Sequence, residues 1–67
     1  MYANTNRNIH TEIAVTLFRK SDGKKLAETL VHSDRYSDAQ DASNVMVERQ
    51  MRLGVPLSQI VVDIEKV

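Results

Sequence analysis

Two short apolar stretches set the frame of the chain: "EIAVTLF" from Glu12 to Phe18 and "KLAETLVH" from Lys25 to His32, both rich in residues that favour strands. Between them lies "RKSDGK", in which Asp22-Gly23 is a strong hairpin signal because glycine tolerates a positive φ. A two-residue turn there sets Val15 opposite Leu30 and Leu17 opposite Glu28, with Ile13 and Leu26 on the same side. Ala14, Phe18, Ala27 and Val31 then lie on the other face. A three-residue turn with a bulge brings Phe18 opposite Leu26 instead. In both registers apolar groups occupy each side of the hairpin, more than one covering helix can bury.

Downstream the spacing changes to that of a helix. Ser37 and Gln40 fit a capping box, in which the serine hydroxyl accepts from the Gln40 N–H and the Gln40 side chain reaches back to the Ser37 N–H. Asp38 and Asp41 occupy the first turn and Arg49 and Arg52 the last, as the helix dipole favours. Gly54 is placed as the residue that closes the helix, with Pro56 just beyond. A helix from about Asp38 to Leu53 is the reading. At about 100° per residue, Ala39, Ala42, Met46 and Leu53 form its inward face, with the stem of Arg49 or Gln50. Val47 and Met51 fall on a second stripe, flanked by Asn44 and Glu48.

The tail "QIVVDIEKV" sets Ile60, Val62 and Ile64 against Val61, Asp63 and Glu65, the period of a strand with one buried face. The fold class is therefore α+β with element order ββαβ. A helical crossover returns the third strand parallel to the second, and its simplest place is beside the first. The expected sheet is three-stranded and antiparallel, in spatial order 2-1-3, with one helix packed on one face. Residues 1–8 read as a flexible N-terminal arm and residues 9–67 as a single domain.

Composition narrows the function classes. A chain of 67 residues buries only about 60% of the surface it exposes when unfolded, so its core is thin. It has no cysteine, and a domain this small in an oxidising setting often relies on disulfides, so a cytoplasmic location is expected. No apolar run is long enough to span a bilayer, and "MYANTNRNIH" lacks the apolar centre of a signal peptide, which points away from a membrane partner. Nine Lys and Arg balance nine Asp and Glu, which removes the general electrostatic argument for a nucleic-acid binder.

Candidate chemistry is sparse. "HSD" at residues 32 to 34 has the residue types of a hydrolase triad, but neighbours along a strand end cannot point at one another as nucleophile, base and orienter must. His10 and His32 with Asp34 or Asp38 lack the spacing of a known metal site. Both glycines, Gly23 and Gly54, are accounted for by turn and cap, leaving no phosphate loop. Neither an enzyme nor a cofactor or metal protein is expected. The hairpin tip concentrates Arg19, Lys20, Lys24 and Lys25, which could contact phosphate or an acidic surface with help from Arg7 in the arm, although charged turns also serve simply to keep edge strands soluble. Phe18 is the sole aromatic inside an expected strand, too few for base stacking.

What remains is excess apolar surface. The Val47/Met51 stripe with Asn44 and Glu48, and Phe18 and Val31 on the uncovered sheet face, form the expected partner-binding set. In size, absence of cysteine and element order, the stretch from Ile13 to Val67 resembles small phage-encoded inhibitors, such as those that block host RNA polymerase or CRISPR complexes. The resemblance is one of scale and architecture and carries no shared motif. It implies a non-enzymatic protein that binds a macromolecular partner in the host cytoplasm and inhibits it by occluding a surface. A homodimer would also bury the excess apolar surface, and nucleic-acid binding through the hairpin tip is the alternative reading.

Overall fold

A computed structural model describes residues 12–67, so the expected arm, Arg7 and His10 lie outside the described residues. Strand β1 (Ile13–Arg19) and β2 (Lys25–Val31) form the hairpin, α1 (Tyr36–Arg52) follows, and a single 3-10 turn (Leu57–Gln59) leads into β3 (Ile60–Lys66). The sheet is antiparallel in the order β2-β1-β3, the arrangement expected as the simplest for the crossover.

The hairpin register follows the bulged alternative over most of its length. Ile13 pairs with Val31, Val15 with Thr29 and Leu17 with Ala27, and a bulge then carries Phe18 to Lys25 rather than Leu26. Leu26 is the extra residue of the bulge and packs against the core. The turn is longer than either short version. Arg19 N–H donates to the Lys24 carbonyl at 2.8 Å, and its own carbonyl accepts from Gly23 N–H at 2.7 Å, leaving Lys20 to Gly23 as the loop. Gly23 takes a φ of 72°, where a β-carbon is disfavoured. The far side of the loop is held by Gln59, whose carbonyl accepts from Lys20 N–H at 2.7 Å and whose side-chain oxygen accepts from Ser21 N–H at 3.0 Å.

This register decides which face is which. Ile13, Val15 and Leu17 point under the helix and are fully buried with Ala39, and Met46 completes the core. Residues directly opposite share a face, so Val31, Thr29 and Ala27 join that side, as do Ile64, Val62 and Ile60 from β3, of which Ile60 and Ile64 pack against the core while Val62, expected buried, stays 40% exposed on its edge strand. Val31 is thus not on the open face: directly opposite the buried Ile13, it turns inward and packs against the core.

The helix begins two residues before the expected start and is not closed by Ser37. Arg35 is its N-cap residue and makes no side-chain cap. The capping box is absent because Ser37 lies inside the helix, and the Gln40 amide is directed to Ser43 Oγ at 3.4 Å. The buried helix positions are Ala39, Ser43, Met46 and Gln50, a spacing of four, three and four that keeps one face on the sheet. Ser43 is tolerated there because its hydroxyl donates to the Gln40 carbonyl at 2.7 Å. Leu53 is not part of this face and stands 72% exposed. It has the right azimuth, but it is the C-cap residue, one past the last helical residue Arg52, where the chain already turns away from the helix axis.

The C-terminal closure is as expected. Gly54 has a φ of 103°; its N–H donates to the Met51 carbonyl at 3.0 Å, and Val55 N–H donates to that of Gln50 at 3.1 Å. That paired arrangement is a Schellman motif, which satisfies carbonyls the helix leaves open.

The face assignment makes opposite demands on two leucines. Leu17→Ala removes a fully buried side chain and should cost about 2–5 kcal/mol, enough to threaten folding of so small a domain. Leu30→Ala, on the open face and half exposed, should cost less than about 1 kcal/mol. Urea unfolding followed by circular dichroism checks both, and equal losses would contradict the assignment.

Candidate functional site

The outer flank of α1 carries an open groove of about 360 Å³. Its lining is Asn44, Val45, Val47, Glu48 and Met51 from the helix and Leu57 from the turn before β3. Asn44, Val47, Glu48 and Met51 are successive i, i+3 and i, i+4 neighbours, so helical geometry alone stacks them along one flank. The Schellman closure then reverses the chain and brings Leu57 to the same groove. Met51 and Leu57 are 47% and 59% exposed, so the chain itself leaves much of this apolar surface in water.

All four helix residues expected to meet a partner therefore lie together, but Val47 has a second role. It is half-buried and packs against the core cluster. At about 100° per residue it sits within about 60° of both Ser43 and Gln50, closer to the inward face than a separate stripe requires. Val45 and Leu57 were not singled out by the periodicity. Val45 was detectable as an i, i+3 neighbour of Glu48; Leu57 becomes visible only with the turn after Gly54. Glu48 is the sole charged lining residue, and Arg52 approaches it only to 3.9 Å, with both side chains mostly exposed. Such a contact adds little stability and leaves the carboxylate available.

The basic hairpin tip is partly neutralised. Arg19 donates to both oxygens of Asp22, at 3.1 and 3.2 Å, and Lys25 meets Glu28 at 3.0 Å. Among the described residues, Lys20 and Lys24 make no ion pair. The Arg19 guanidinium, aided by Lys24 N–H, holds the Asp22 carboxyl below its usual range. Phe18 lies on the open sheet face, away from the groove, in the same row as Lys25 and Val61.

The "HSD" residues point apart. His32 Nδ1 lies 3.1 Å from a carboxylate oxygen of Glu12, the residue just before β1, and Ser33 donates to Asp38 Oδ2 at 2.6 Å while accepting from Arg35 N–H at 3.0 Å. These bonds fasten the loop to the first turn of α1, where the expected cap is missing. Among the described residues, no group of three potential metal ligands gathers, and no helix is long and apolar enough to cross a membrane. The chain matches no protein-family model, no curated protein and no solved structure.

The Ser33 hydroxyl, with Arg35 nearby, holds the Asp38 carboxyl below its ordinary value. A carboxyl depressed in the folded state contributes stability that is complete above its unfolded value, about 3.9, and is lost as pH falls through the folded one. Asp38→Asn should therefore lower the melting temperature near neutral pH, and its gap from the parent should narrow as the pH drops below about 4. Thermal melts across that range decide the point; a gap independent of pH would contradict it.

Proposed function

We propose that the protein is a non-enzymatic interaction module that seats a protein partner in the α1 groove and acts by occupying that partner's surface. The observation that carries the reading is the convergence of Val45, Met51 and Leu57, all exposed, around Val47 in one groove, with Asn44 and Glu48 alongside. Apolar side chains in a concave site, bordered by a few polar groups, suit the apolar anchors of a partner segment. Methionine adds an unbranched side chain that adapts to the shape of what it meets. A small body with such a groove can act by steric exclusion alone, which agrees with the resemblance to phage-encoded inhibitors of host enzymes or defence complexes. Contact with phosphate at the hairpin tip is the weaker reading, since Asp22 and Glu28 already engage two of its four cations.

Val47 is unsuitable as a probe, because an aspartate there would place a charge against the core. Met51→Asp with Leu57→Asp alters exposed positions and should preserve the fold. Capture from lysate of the host cells, treated with nuclease, should be retained by the parent and by a Lys20→Glu, Lys24→Glu variant. It should weaken by about a hundredfold or more in the Met51→Asp, Leu57→Asp variant, as expected for two interface anchors. Undiminished capture by that variant, or capture abolished by nuclease, would overturn the proposal.

A further inference from the structure

The face of the sheet turned away from α1 has an ordered charge pattern. Pairing places Leu30, Ala14 and Glu65 in one row across the three strands, and Glu28, Thr16 and Asp63 in the next. Lys25, Phe18 and Val61 form the third row. On the central strand Ala14 and Thr16, the latter only 8% exposed, lie between Glu28 on one side and Asp63 and Glu65 on the other. Leu30 and Val61, 50% and 44% exposed, mark diagonal ends of this trough. Glu28 is engaged by Lys25, whereas among the described residues no basic group lies within ion-pair distance of Asp63 or Glu65. Asp63 and Glu65 therefore stand as two exposed carboxylates on the same face of an edge strand.

We propose that this open face is a second docking surface, separate from the groove, and that its occupant is a cationic protein segment with Lys or Arg at alternate positions. The spacing supports that occupant. Asp63 and Glu65 are two residues apart on one strand, about 7 Å, and alternate side chains of an extended segment repeat at the same distance. The aliphatic stems of Lys or Arg lie over Ala14 and the exposed parts of Leu30 and Val61, while their charged heads reach the carboxylates. A nucleic acid is excluded from this face by the same carboxylates.

The probe is a short labelled peptide alternating lysine with valine, its counterpart alternating glutamate with valine, and the full chain in low salt. Binding should be seen with the lysine peptide and should move the amide resonances of Ala14, Thr16 and Leu30 rather than those of Asn44 and Met51. Asp63→Asn with Glu65→Gln should lower its affinity about fivefold, the effect of two exposed charge contacts, and added salt should weaken the parent's binding similarly. Asp34→Asn with Asp41→Asn, which removes equal charge elsewhere on the surface, should leave the affinity unchanged. Equal binding of the glutamate peptide, equal loss in both double variants, or movement confined to the helix amides would each overturn the proposal. So would shifts of the sheet amides with the chain's own concentration, which would make a second copy the occupant.

Discussion

The structure depends on one packing contact: the inward stripe of α1, Ala39, Ser43, Met46 and Gln50, against Ile13, Val15 and Leu17 of the central strand. Because β1 is paired on both sides, its backbone is satisfied within the sheet and its side chains alone decide where the core lies. A single helix can cover only one side of that sheet. Every other apolar group in the domain is left at the margin of the contact or outside it, and the two surfaces proposed for docking are the two such margins.

The devices around that contact are local. Gly54 and the paired bonds to Met51 and Gln50 end the helix and direct Leu57 back along its flank, so a backbone motif builds one wall of the groove. Gln59 then ties the same connection to the hairpin loop through Lys20 and Ser21, fixing β3 beside β1. At the other end Ser33, Asp38 and Arg35 secure the entry to α1 without a conventional cap. None of these bonds is buried deeply, so they set geometry more than they add stability.

The fold was legible because its signals were periodic and punctuated. Two β-rich runs around Asp22-Gly23, a helical spacing closed by Gly54, and an alternating tail leave few arrangements, and the strand order follows from the crossover. The register was not legible, because Leu26 can occupy a bulge or a regular position with the same local sequence. Its outcome moved Val31 from the open face to the covered one. At the helix, the 100° rule placed Met51 correctly but separated Val47 too sharply from Ser43 and Gln50, since a packed face is wider than a line of residues. Leu53 failed for a different reason: its azimuth was right, but it is the C-cap residue, where the chain leaves the helix. Leu57 joined the groove through a chain reversal that periodicity does not encode, and the open-face carboxylates could be placed in rows only after the strands were paired.

The central claim is that the chain covers one side of its sheet and leaves both the α1 groove and the opposite sheet face in water. Paramagnetic relaxation of side-chain methyl groups by a soluble, inert agent tests this most directly. The account predicts strong relaxation at Met51, Leu57, Leu30 and Val61 and near-complete shielding at Ile13, Val15 and Leu17, unchanged on dilution. Shielding of Met51 and Leu57, or of Leu30 and Val61, comparable to that of Ile13 would contradict it.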